Sequence, residues 1–173
     1  MECSSTLRNL CQSVELHSGP LLFERKFIRT IVSSVRFLWS LPTELLAIVL
    51  WISWRSQVVE RGKLREAHVF LLRGRRRGLS LGRFIFIWTP DPQSVKGLSW
   101  EDLLTHEYGH TVQALYLGPF YLLIVGLPSL TWAGLPALKR YRRNQGVSYY
   151  KLYTESWADR LGQRVLGRRI NRL

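Results

Sequence analysis

The pentapeptide His106-Glu107-Tyr108-Gly109-His110 constrains this chain more than any other feature, because it lies inside a segment already bounded as a helix. Ser99-Trp100-Glu101-Asp102 reads as a cap followed by acids in the first turn, and Gly118-Pro119 supplies a stop, which predicts a helix from about Trp100 to Leu117. Residues four apart share one helix face, so both imidazoles can address a single zinc ion while Glu107 turns towards an open coordination position. Such a centre needs a third protein ligand. Beyond His110 the only carboxylates are Glu155 and Asp159, again four apart. Glu155 is the expected third ligand, and Asp159 the acceptor that fixes the tautomer of a ligand imidazole. A plain carboxylate pair on a solvated helix is the competing reading, weakened by surroundings that are otherwise almost entirely basic. The fold must therefore return Glu155 to His110.

The combination of H-E-x-x-H with E-x-x-A-D, here Glu155, Ala158 and Asp159, resembles the gluzincin metallopeptidases. The similarity is strongest to the integral-membrane kind related to the CAAX prenyl protease and the HtpX-type quality-control protease, and to small bacterial membrane proteins bearing H-E-Y-G-H-T. It spans roughly the region from the predicted hairpin to Gly162, with specific motifs only on the two helices. The resemblance implies a peptidase carrying zinc, with Glu107 as general base, a peptide or protein substrate, and a strand before the active-site helix that holds the substrate extended. A tyrosine or histidine that steadies the oxyanion is also implied, and Tyr149, Tyr150 and Tyr153 are candidates by position.

Charge and apolar blocks bear on where such a centre would work. The formal charge is +13, yet 46% of the residues are hydrophobic and they are gathered into blocks with seven tryptophans, which favours a lipid surface over nucleic acid. The run Arg75-Arg76-Arg77 has no interleaved aromatic platform and reads as a solvated loop tip or a headgroup contact. Leu21 to Leu38 reads as a basic amphipathic helix, with Phe27, Ile28, Ile31, Val32, Val35 and Leu38 opposite Arg25, Arg29 and Arg36. Phe37 to Trp54 follows as an apolar segment edged by Trp39, Trp51 and Trp54 and broken by Pro42 and Glu44. Glu44 is expected near the interface or pointing inward at the site, where it is the first substitute for Glu155 as ligand. Cys3 and Cys11, in a polar N-terminal stretch, support neither a disulfide scaffold nor a thiolate site, and residues 1 to 20 lack the pattern of a secretory signal.

Residues 55 to 66 are charged and read as helical. Ala67 to Arg73 and Leu79 to Trp88 read as two strands of a hairpin around Gly74-Arg75-Arg76-Arg77-Gly78, with Gly82 to Trp88 as the edge that pairs with a peptide. If Phe120 to Leu138 crossed a bilayer once, His110 and Glu155 would lie on opposite sides; the segment should therefore dip and return, turning at Gly126-Leu127-Pro128. Ser148 to Leu161 reads as the last helix, ended by Gly162. The expected architecture is α+β and mainly helical, a membrane-associated minimal zincin-like unit with a β-hairpin before the active-site helix. Residues 1–54 form the amphipathic and membrane-anchoring part, and 55–173 the catalytic unit with a re-entrant segment at about 120–138. Of 25 basic residues, 20 follow Trp54, which places the catalytic side in the cytoplasm, at the bacterial inner membrane that the resemblance implies. The rival function is an inactive membrane adaptor that keeps the fold.

Overall fold

The computed structural model describes residues 6–15, 38–95 and 97–170. The amphipathic helix predicted from Leu21 falls outside them up to residue 37, as does Cys3. The fold is α+β, mainly helical, with one small mixed sheet of four strands.

The first helix, α1 (Thr6–Glu15), buries Leu7, Leu10, Cys11 and Val14, whose spacing of three and four residues puts them on one stripe. The stretch expected to be merely polar is thus part of the core. Helix α2 (Leu41–Trp54) follows, and then the chain departs from the predicted helix over 55 to 66. Val58–Leu64 is a strand, β1. Its charged Arg61 and Lys63 face solvent while Leu64 is buried, an alternation of period two that the density of charge disguises. Glu60 is buried as well, and its Oε1 accepts the Leu7 backbone N–H at 3.0 Å, which seats the start of α1 on the strand.

Strands β2 (Ala67–Arg73), β3 (Arg77–Leu81) and β4 (Phe84–Thr89) complete a sheet of order β1-β2-β4-β3. β1 and β2 are antiparallel, β2 and β4 parallel, and β3 and β4 antiparallel. The hairpin predicted around Arg75-Arg76-Arg77 is therefore absent, because β4 lies between β2 and β3. The predicted strand from Leu79 to Trp88 is divided by Gly82, whose φ of 56° forms the turn from β3 to β4. Insertion explains the near-continuous apolar runs of β2 and β4, which are covered on both faces. Val69, Leu71, Ile85 and Ile87 pack with α1 and the long helix α3 (Leu98–Leu117), while Phe70, Leu72, Phe86 and Trp88 pack under Trp51 and Trp54 of α2.

Helix α3 covers the predicted span, but its cap is Gly97, and the Ser99 hydroxyl accepts from Arg76 Nη2 at 2.5 Å. The chain then turns at Gly118, with φ of 52°, and not at 126 to 128. Gly126 and Leu127 are helical, and a π-helical turn (Leu122–Gly126) runs on into α4 (Leu127–Gly134). Pro128 has no N–H for the Ile124 carbonyl four residues back; that oxygen accepts the Tyr153 hydroxyl at 2.6 Å, so the helix continues through the proline. The segments Ser99–Phe120 and Leu122–Gly134 meet at 119°, and among the described residues no single helix is long and apolar enough to cross a membrane. The basic α5 (Pro136–Asn144) leads to α6 (Tyr153–Leu166). α6 ends at Gly167, left-handed at φ 65°, and Gly162 lies inside it.

Candidate metal centre

The centre is built by the crossing of α3 and α6. At Gly109 a Cβ would overlap the Ala158 carbonyl oxygen, and at Gly162 one would overlap that of Thr105. The two glycines let the backbones meet where any side chain would hold them apart, and so bring Glu155 to the histidines. His106, His110 and Glu155 are buried, and their ligating atoms all lie within 4.8 Å of one another.

Glu155 Oε2 stands 3.2 Å from His106 Nε2 and 3.6 Å from His110 Nε2. Ligands bound tetrahedrally at roughly 2.0–2.1 Å stand about 3.3 Å apart, so the three atoms are spaced as donors around one cation. The oxygen is fully buried with no hydrogen bond of good geometry, an arrangement that costs free energy unless a cation completes it. On electrostatic grounds, too, positive charge belongs here. Burial opposes ionisation of Glu155, but hydrogen bonds and charge from His106 and His110 outweigh it and hold the carboxyl well below the usual carboxylate range. Burial likewise disfavours protonated His106, yet hydrogen bonds to Asp159 and Glu155 and the charges of Glu107 and Asp159 raise it to about 9.

The outer ring nitrogens are held as metal ligation requires. His106 Nδ1 lies 2.7 Å from Asp159 Oδ1, the contact expected from the sequence. His110 Nδ1 lies 2.7 Å from Oε1 of Gln113, a residue the sequence reading did not single out. Fully buried Gln113 also donates from Nε2 to the Thr154 carbonyl at 2.7 Å, next to Glu155, and that bond assigns the two ends of the amide. Both Nδ1 atoms then donate outward, and both Nε2 atoms are left facing Glu155. A buried amide three residues past His110, on the same helix face, is the signal that marks Gln113.

The remaining expectations divide. Glu107 is buried beside the cluster with Oε2 accepting the Ser80 hydroxyl at 2.6 Å. Of the three tyrosines, Tyr149 hydrogen-bonds to Glu155, and burial with the charges of Glu155 and Glu107 pushes its hydroxyl far above the ordinary tyrosine range. The Tyr150 ring stands edge-on to His106 at 5.4 Å, whereas the Tyr153 hydroxyl is committed to Ile124. Glu44 points inward but not at the centre: its Oε1 accepts the backbone and side-chain N–H of Arg83, each at 3.1 Å, under the turn from β3 to β4. Gly82 to Trp88 is not an edge, since β4 is interior; the edge beside Glu107 is β3. A cavity bounded by Ser40, Gly82, Arg83, Tyr108 and Thr111 lies on the opposite face of α3 from the histidines. Comparison with protein-family models, with curated proteins and with solved structures finds no match, so the reading of the centre rests on its own geometry.

Proposed function

We propose that this chain is a zinc-dependent endopeptidase of gluzincin type that works at a membrane surface. The observation that carries the reading is the convergence of two imidazole Nε2 atoms and one buried carboxylate oxygen without a well-formed hydrogen bond, with the carboxylate of Glu107 beside them. His106, His110 and Glu155 would hold the ion. When bound, zinc supplies Lewis acidity for a carbonyl and acidifies a water molecule. Glu107 ligates nothing in this scheme; its carboxylate takes the proton of the attacking water and returns it to the leaving amine. Asp159 and Gln113 keep the imidazoles oriented and neutral at Nε2. Tyr149, held protonated, has the donor that a developing oxyanion requires.

The membrane part rests on charge-free surface. Leu45, Leu46, Val49 and Ile52 of α2 are exposed, as are Phe120, Leu123, Leu127 and Leu130 beyond α3. The two elements adjoin where Trp39 lies against Gly118. Arg55 flanks one and Lys139, Arg140 and Arg143 the other, which suits an apolar face sunk among anionic headgroups from one side.

Metal analysis of the purified parent and of His106→Ala, together with cleavage of a peptide library by Glu107→Gln, tests the reading. One zinc per chain that is lost in His106→Ala, with zinc kept and cleavage abolished in Glu107→Gln, is the expected result. Absence of zinc from the parent overturns the metal assignment, and cleavage by Glu107→Gln at the parental rate overturns the proton carrier. Zinc without cleavage by the parent favours an adaptor that retains the centre.

A further inference from the structure

We propose that Gly78 and Ser80 on the edge strand β3 form a seat for the Glu107 carboxylate, and that Ser80 is a positioning residue for its proton transfer. The proposal rests on the reading of Glu107 as proton carrier. Residues two apart in a strand point to the same face, and here both meet the same side chain. A Cβ at position 78 would overlap Oε1, Cδ and Cγ of Glu107. Gly78 is not among the residues of positive φ, so what glycine provides there is room for the Glu107 carboxylate in this conformation and not backbone freedom. Ser80 supplies the complement. A carboxylate only accepts, so the 2.6 Å contact is a hydroxyl donating to Oε2, a short charge-assisted bond.

Ser80 is itself fixed. It is 4% exposed, and its carbonyl accepts the hydroxyl of buried Tyr121 at 3.2 Å. One carboxylate edge thus lies against bare backbone at Gly78 while Oε2 is tied to Ser80, and the strand under both is pinned by Tyr121. Glu107 has several rotatable bonds, and a proton carrier must stand within hydrogen-bond reach of its proton. The seat selects one side-chain conformation before substrate arrives.

Three measurements on the zinc-loaded protein and one on the metal-free protein test this. Ser80→Ala is expected to keep one zinc per chain, to lower kcat by roughly 10- to 100-fold with little change in KM, and to weaken binding of a simple hydroxamate, whose proton is shared with Glu107. Ser80→Thr, which keeps the hydroxyl, should restore most of both. In metal-free protein the double variant Ser80→Ala/Glu107→Ala should lose less melting temperature than the two single shifts added, because each removes the same hydroxyl–carboxylate contact. Strict additivity would overturn the seat itself, whatever the activity. Non-additive melting with parental kcat and hydroxamate affinity in Ser80→Ala would overturn its role in proton transfer. Full activity of Glu107→Gln would remove the reading on which that role rests, while the melting cycle would still decide whether the seat exists.

Discussion

The crossing of α3 and α6 and the apolar stretch from Phe120 to Leu135 hold their places by opposite means. At the crossing, backbones touch at Gly109 and Gly162, and His106 and His110 each have a polar partner at 2.7 Å. Position there is set by short directional contacts. Along the apolar stretch Phe120, Leu123, Leu127 and Leu130 are all more than half exposed, with Leu130 at 69%. Tyr121 ties it to the Ser80 carbonyl of β3, and three further ties run inward to the segment that carries Glu155: Tyr153 to the Ile124 carbonyl, Ser129 to Thr154, and Trp132 Nε1 to the Tyr149 carbonyl. The stretch thus braces the metal centre with its polar atoms, buries Tyr121 and Val125, and leaves most of its other large apolar side chains exposed. The difference teaches that the centre needs its own crossing to be intact, whereas the exposed apolar side chains lend the fold little buried area.

The largest effect should come from closing the crossing. Gly162→Val and Gly109→Val each put atoms into a neighbouring carbonyl, and overpacking of this kind costs about 3 kcal/mol or more. For a chain of this size that is a fall of roughly 6–12 °C in melting temperature. Zinc binding should fall with it, because the ligands sit on the separated helices. Thermal melting and metal analysis check both, and a Gly162→Val protein that melts like the parent would show that the helices do not touch there.

Acid and base should act on the same crossing with a definite sign. His106 has a folded pKa of about 9 against an ordinary 6.5, so its protonation stabilises the metal-free fold fully below about 6.5 and is lost as the pH rises through 9. Zinc must displace that proton. The metal-free protein should therefore lose melting temperature over this window while zinc affinity rises across it, measured by melting and by competitive titration at fixed ionic strength. A metal-free melting temperature that rises between these limits would break the assignment.

What the sequence made legible follows the range of each signal. The spacing of His106 and His110 and the scarcity of later acids are local facts, and the structure places Glu155 and Asp159 as those facts suggest. The stripe Leu7, Leu10, Cys11 and Val14 was equally local, but polar neighbours masked it. The insertion of β4 between β2 and β3 depends on a pairing across the sheet, and no local pattern distinguishes it from a hairpin. Gly109 and Gly162 resemble a spare position and a helix stop until the partner carbonyls are known. Pro128 looks like a turn because the hydroxyl that replaces its missing donor belongs to Tyr153.

A smaller effect is expected where the directional contacts surround the metal without touching it. Gln113→Leu keeps the shape of the side chain but takes away the acceptor for His110 Nδ1 and the donor for the Thr154 carbonyl. Zinc affinity should fall by about 10- to 100-fold, as for Asp159→Asn at the other imidazole. Competitive titration measures both, and parental affinity in Gln113→Leu would show that the Nδ1 contact does not orient His110.

The smallest effect on folding belongs to the apolar stretch, and it discriminates best between the two regions. Leu130 is 69% exposed and Leu123 66%, so replacing either with aspartate removes little buried surface and should change stability by about 0.5 kcal/mol or less. Zinc content should also stay at the parental level, since neither side chain is a ligand or supplies one of the polar ties to residues 149–154. The same substitution at Ile87, which is completely buried, should unfold the protein, so aspartate is tolerated only where the surrounding chain does not need the site. Retention by membranes should separate the two surface variants from the parent. A bilayer into which Leu123 and Leu130 dip would have to accept a carboxylate, and the double variant should leave the membrane fraction in a carbonate wash that the parent resists. Retention equal to the parent's, with the fold intact, would mean that this surface does not meet lipid and that its exposure serves another contact.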